Sequence, residues 1–273
     1  MAHHSAASPL GTLVALGGGD DDGMLALLRD LLPDISVPVE IITVASRDDT
    51  RSGRAYVRAL RELGCTGACH LRINENCPAD APDTLRRLRR AGLVFFSGGD
   101  QERITDFLQE TEFLRVLRER YQQDADFIIA GTSAGAAVMP EYMVVQGYGW
   151  RALRKGGTQT SAGLGLVSEL VIDQHFVERG RFGRLAHALL MHPTCLGVGL
   201  AEETGIIIRG GRYAEVFGDG VVMAVDGSEL QESNLAQVRR GEPVSGQNFR
   251  VHLLVAGQQL DLASRTITAA GGK

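Results

Sequence analysis

The pentapeptide Gly131-Thr132-Ser133-Ala134-Gly135 follows directly on the apolar run Phe127-Ile128-Ile129-Ala130 and is continued by the small residues Ala136, Ala137 and Val138. A G-x-S-x-G set between a strand and a helix forces a sharp turn with a strained serine, and glycines on either side leave room for neighbouring elements. The turn exposes the serine hydroxyl and marks Ser133 as a candidate nucleophile. Taken alone it could be a tight strand-to-helix turn that merely contains a serine, but its setting between an apolar strand and a helix favours catalysis. Ala134 then opens the helix, and its backbone N–H can face a developing oxyanion.

The rest of the chain agrees. Short apolar segments at 12–16, 39–45, 68–73, 93–96 and 127–130 alternate with amphipathic stretches at 24–32, 53–63, 82–90, 103–120 and 181–190. That alternation predicts a mostly parallel sheet with helices on both faces. The last third changes character: 205–212, 213–217, 221–226 and 249–254 read as strands joined by Gly-rich turns, expected to form antiparallel hairpins at a sheet edge. Residues 146–165, rich in Gly, Ser and Thr with Tyr148 and Trp150, read as a long loop near the site. The expectation is a single α/β hydrolytic domain over 1–273, with 1–10 as a flexible tail and 269–273 as a frayed end.

Composition excludes several functions. With 28 basic against 33 acidic residues the formal charge is -5, so the chain has no excess of positive charge to neutralise a nucleic acid backbone. No stretch approaches the about 20 apolar residues that cross a bilayer. The amino terminus lacks both the basic start and the apolar core of an export signal, so a cytoplasmic location is expected. The four cysteines, Cys65, Cys69, Cys77 and Cys195, contain no C-x-x-C pair and read as incidental thiols.

A hydroxyl nucleophile needs a base. Of the seven histidines, His175 follows a β-type run and stands in the polar string Asp173-Gln174-His175-Phe176-Val177-Glu178-Arg179-Gly180-Arg181-Phe182-Gly183-Arg184. His70, His187, His192 and His252 sit in strand or helix patterns where a structural role is the simpler reading, and His3 and His4 lie in the tail. The carboxylate behind the imidazole is sought in Val198-Gly199-Leu200-Ala201-Glu202-Glu203, where a strand end leaves Glu202 and Glu203 as alternatives; Asp173, two residues from His175, is a third. Leu93 to Ser97 runs into Gly98-Gly99-Asp100-Gln101, which reads equally as an ordinary strand-helix turn or as the source of a second oxyanion donor, the Gly99 N–H. The acidic run Asp20-Asp21-Asp22 after Gly17-Gly18-Gly19 reads as a helix cap or as a holder for a substrate guanidinium, the cap being preferred. A dinucleotide site is disfavoured there, since the glycines do not continue as G-x-G-x-x-G and three carboxylates would repel a pyrophosphate.

Together, Gly98-Gly99-Asp100-Gln101, Gly131-Thr132-Ser133-Ala134-Gly135-Ala136, Asp173-Gln174-His175-Phe176 with Arg179, Arg181 and Arg184, and Glu202 resemble the cyanophycinase family. The serine motif alone is shared with the related aspartyl dipeptidases of the peptidase E type, which form the alternative reading. The resemblance implies a flavodoxin-like α/β fold and a Ser133-His175-Glu202 triad working without metal or other cofactor. It further implies a homodimer, and as substrate the arginine-bearing polyaspartate cyanophycin, released as β-aspartyl-arginine dipeptides. By position it assigns Gln101, Asp173, Gln174, Arg179, Arg181 and Arg184 to the substrate pocket. That chemistry suits the polymer: a guanidinium fork binds an arginine carboxylate, and an acid such as Asp173 suits a substrate guanidinium. Two positions depart from the family pattern, Ala201 in place of an aspartate and Ala137 in place of a serine.

Overall fold

The computed structural model describes residues 8–269. The expected tail (1–10) and frayed end (269–273) fall mostly outside the described residues. Strand β1 (Thr12–Leu16) leads to helix α1 (Asp22–Leu31), then β2 (Val39–Ile42), α2 (Asp49–Glu62), β3 (Ala68–His70), α3 (Pro82–Arg90) and β4 (Leu93–Phe96). Next come α4 (Gln101–Leu108), α5 (Glu112–Gln123), β5 (Ile128–Thr132) and the short α6 (Ala134–Ala137). A hairpin, β6 (Tyr142–Gln146) with β7 (Gln159–Ala162), precedes β8 (Leu170–Asp173), α7 (Phe182–Met191) and β9 (Leu196–Leu200). The chain ends in β10 (Thr204–Arg209), β11 (Tyr213–Gly218), β12 (Val222–Asp226), β13 (Arg250–Leu254), β14 (Gln258–Asp261) and β15 (Thr266–Ala269).

The large sheet has the order β15-β14-β11-β10-β1-β5-β4-β2-β3. From β1 to β3 every pairing is parallel, and from β1 outward through β10, β11, β14 and β15 every pairing is antiparallel. The fold is therefore the expected α/β class, with antiparallel hairpins extending one edge. A second sheet, β13-β12-β9-β8, is parallel only between β8 and β9. The strand over 221–226 and its partner over 249–254, expected as edge hairpins, pair in this smaller sheet.

Alternation along the strands divides the core. Val14, Leu16, Ile41, Phe95 and Ala130 face Met24, Leu25 and Leu28 of α1 and Leu60 of α2. Leu13, Ala15, Phe96 and Ile129 face Leu88 of α3, Ile104 and Leu108 of α4, Phe113 and Leu117 of α5, and the small sheet through Ile172 and Val198. The far side of the small sheet is covered by Leu185, Ala188 and Leu189 of α7. Because strand side chains alternate in direction, each strand serves both layers, and each of these buried Leu, Phe or Met side chains stabilises by about 1.5–3 kcal/mol.

Two expectations are corrected. The helix expected over 103–120 is two helices. It breaks at Glu110, which adopts φ +60, and Thr111 caps the second by accepting the Leu114 N–H at 3.2 Å. Capping competes with helix continuation, and a threonine gains most at such an entry. The loop expected over 146–165 contains a 3-10 turn (Gly149–Leu153) and the strand β7, whose mostly polar residues Gln159–Ala162 pair with β6 across a register shift. The exposed strand β7 carries no apolar alternation for a sequence reading to detect, while its partner β6 buries Met143 and Val144.

Candidate active site

The carboxyl ends of β4, β5 and β1, three adjacent strands, converge with those of β8 and β9 from the small sheet. In open α/β sheets this end is where ligands bind. Ser133 follows β5 with φ +51 and ψ -111, a conformation costly for a non-glycine residue. Its backbone N–H is held by Leu16 O at 3.0 Å, and one turn of α6 begins at Ala134.

Ser133 Oγ lies 2.9 Å from His175 Nε2, and His175 Nδ1 lies 2.5 Å from Glu202 Oε1. A carboxylate at Nδ1 fixes the proton on that nitrogen, so Nε2 is left to accept from the serine hydroxyl. Gln174 Oε1 is a longer alternative acceptor at 3.4 Å. The His175 side chain is 12% exposed, and burial pushes the imidazole below its ordinary range; Glu202 pulls the other way, while the positive charge of Arg179 adds to the depression. Such a ring is neutral at neutral pH and able to accept a proton. Of the three carboxylates considered, Glu202 meets the ring, Glu203 is exposed with φ +55, and Asp173 is buried elsewhere. His70 bonds Thr43 and Asp49, His187 bonds Ala152 O, and His192 bonds Thr160 while stacking on Tyr142.

Gly98 and Gly99 lie beside the serine: a Cβ on Gly98 would stand 3.3 Å from Ser133 Cβ, and Gly99 has φ +140. Among the described residues neither Gly99 N–H nor Ala134 N–H has an acceptor, so both are available to an oxygen that bears negative charge.

Sequence reasoning missed the part played by Gly17-Gly18-Gly19. Gly17 O accepts from His175 N at 2.8 Å and Gly18 O from Glu203 N at 2.8 Å. A Cβ on Gly18 would fall 2.4 Å from His175 Cε1, and one on Gly19 2.9 Å from Glu202 Cβ. This turn is the surface on which imidazole and carboxylate rest, and side chains there would displace both. The only signal was a run of three glycines at a strand end. Of the acidic run that follows, Asp20 accepts from Asp22 N–H at 3.1 Å in the manner of a cap. Asp21 makes no cap bond and instead joins Thr132 and Tyr56. Its carboxyl is raised by burial, against the lowering effect of those two hydroxyl bonds.

A small pocket is lined by Gly147, Tyr148, Arg179, Arg181 and Arg184, and Arg181 connects it to the serine through Gln174 Oε1, which lies 3.4 Å from Ser133 Oγ. Arg184 grips Asp173 with two nitrogens, Nε to Oδ2 at 2.6 Å and a second bond to Oδ1, and both residues are almost fully buried. Arg181 bonds the Gln174 side-chain oxygen at 2.7 Å, and burial, then the neighbouring Arg184, pulls its guanidinium down to about 10. Asp173, expected to face a substrate guanidinium, thus has both oxygens engaged and acts on the pocket through these arginines. Gln101 donates to Val144 O at 2.9 Å. Arg179 is exposed and has no carboxylate partner among the described residues.

The family match and the curated relatives define the class: this is a serine-type peptidase, a hydrolase on an α/β scaffold. Residues 13–216 match peptidase family S51, and the chain belongs to that family. Curated relatives include the cyanophycinase of Trichormus variabilis, 34% identical over 232 residues that make up 85% of this chain and 78% of that protein. The cyanophycinase of Synechococcus elongatus is 32% identical over 97% of this chain and 83% of its own length. Among solved structures, a peptidase from an acI-B1 Actinobacterium superposes with a TM-score of 0.64 at 21% identity, covering 93% of this chain and 98% of that one, which supports the fold. The chain is accordingly a peptidase of the cyanophycinase and peptidase E type. Among the described residues no helix is long and apolar enough to cross a membrane.

Proposed function

We propose that this chain is a cyanophycinase that cleaves the polymer through an acyl-enzyme on Ser133. The observation that carries the reading is the unbroken relay from Ser133 Oγ through His175 to Glu202, in a chain whose relatives of this similarity are cyanophycinases. Ser133 Oγ attacks a carbonyl carbon of the polymer as its proton passes to His175 Nε2. The oxyanion that forms is met by the N–H groups of Ala134 and Gly99. His175 then gives the proton to the departing amine, leaving an ester on Ser133. Water enters, gives a proton to the same nitrogen, and releases the acid as the serine recovers its proton. Glu202 keeps the ring in the required tautomer and balances the imidazolium at each transfer.

The pocket supports the choice of substrate. Arg179, with its guanidinium uncommitted, suits the carboxylate of the arginyl branch, while Arg181 and Arg184, set by Asp173 and Gln174, provide a fixed positive wall. Tyr148 borders the same space, and Gln101 joins the substrate pocket by its family position. The enzyme works as a homodimer in the cytoplasm on this reading, and residues 1–273 form one hydrolytic domain.

Purified cyanophycin incubated with wild type and with Ser133→Ala tests this, with products identified by mass spectrometry. β-Aspartyl-arginine from the wild type, and turnover lower by about 10⁴ in the variant, is expected. Efficient cleavage of short aspartyl dipeptides with no attack on the polymer would move the chain to the dipeptidase reading.

A further inference from the structure

Asp21 stands at the head of α1, directly after the glycine turn that seats His175 and Glu202. Its Oδ1 accepts from the hydroxyl of Thr132, 2.7 Å away, and its Oδ2 from the hydroxyl of Tyr56 on α2, 2.5 Å away. Thr132 is 2% exposed and is the residue immediately before Ser133. Tyr56 is fixed in turn by its ring, 4.8 Å from that of Phe95 on β4. One carboxylate therefore ties together the turn against which the base and acid rest and the strand end that carries the hydroxyl. The backbone adds one bond on each side of the turn, Ser133 N to Leu16 O toward the serine and His175 N to Gly17 O toward the base.

We infer that Asp21 is a positioning residue that clamps the glycine turn to Thr132 and so sets the approach of Ser133 to His175. The inference rests on the reading of Ser133 as nucleophile. Neither Asp21 nor Thr132 bonds Ser133, His175 or Glu202 directly through its side chain. Their effect passes through the strained backbone at residue 133, whose φ +51 persists only because its surroundings over-determine it. Removing one side-chain bond from that set frees the turn to relax and lengthens the serine-imidazole contact. Displacements well under 1 Å at a reacting group are enough to lower the rate of attack by about tenfold.

The test measures the rate at which an alkyl fluorophosphonate modifies the enzyme, by intact mass, together with kcat and KM on the polymer. Thr132→Val and Asp21→Ala are each expected to slow labelling and kcat by about tenfold with KM within about twofold. Thr132→Ser and Asp21→Asn, which keep a donor and an acceptor respectively, are expected to stay within about threefold of wild type. The double variant Asp21→Ala/Thr132→Val should be no slower than Asp21→Ala alone, because the Thr132 bond is already lost there. Wild-type labelling by Thr132→Val, equal losses in Thr132→Val and Thr132→Ser, or a double variant slowed by about 100-fold would each overturn the clamp. The comparison of Asp21→Asn with Asp21→Ala reads the bond even where Thr132→Val does not fold. Labelling and turnover that survive in Ser133→Ala would instead remove the nucleophile, and the clamp with it.

Discussion

Gly18→Ala tests whether the glycine turn seats the base. The added Cβ would lie 2.4 Å from His175 Cε1 and 2.7 Å from Nε2, both ring atoms that cannot bend away. Carbon contacts are most favourable at about 3.5–4.0 Å, so the imidazole must retreat by about 1 Å. That movement breaks the 2.9 Å contact with Ser133, and a misplacement of this size costs about 10²-fold in rate. The backbone adds its own strain, since φ is +99 at Gly18, worth about 1–3 kcal/mol for a residue with a side chain. In a chain of this length that corresponds to a fall in Tm of about 2–12 °C. Gly23→Ala is the control: nothing lies within 4 Å of its Cβ position in α1, and the change should leave kcat/KM alone and stabilise by about 0.5–1 kcal/mol. The assay is kcat/KM on cyanophycin at a temperature where both variants are folded. A Gly18→Ala enzyme that is folded and within about threefold of wild type would refute the seating of the imidazole on this turn.

Glu202→Gln should lower kcat by at least about 10²-fold, because an amide can hold the wrong tautomer and cannot balance the imidazolium, while the exposed Glu203→Gln should do far less; steady-state kinetics of the two variants decide the acid. The reaction needs neutral His175, whose proton affinity is lowered by burial and by Arg179, so kcat/KM should hold as pH falls through 6.5, the ordinary histidine value, and decline only below it. Arg179→Gln removes one depressing charge, and a pH profile should show its acid limb moved upward; an unchanged or downward-shifted limb would contradict the assignment. Asp173→Asn leaves the buried Arg184 without its counter-charge and should destabilise by about 3–5 kcal/mol, read from denaturant unfolding, and a loss below about 1 kcal/mol would show that the pair is not what holds the pocket wall.

Sequence was enough for local matters. The strand ending in Gly131-Thr132-Ser133, the helix over Pro82–Arg90 and the class of the fold are set by apolar periodicity and by where glycine interrupts it, and such patterns act within a few residues. His175 stood out because it lies in a polar string after a strand, and Glu202 was preferred to Glu203 and Asp173 only through family resemblance. Tertiary structure alone decided which of Glu202, Glu203 and Asp173 meets the imidazole, because that choice turns on the direction of side chains from β8 and β9 as the small sheet packs against the large one. It also converted Asp173 from an expected substrate contact into the buried partner of Arg184, a matter of burial that eleven residues of separation do not reveal. The glycine turn and Asp21 belong with these. Their partners, His175 and Thr132, lie far along the chain, and a short-range pattern carries no record of contacts that exist only once the strands are laid side by side.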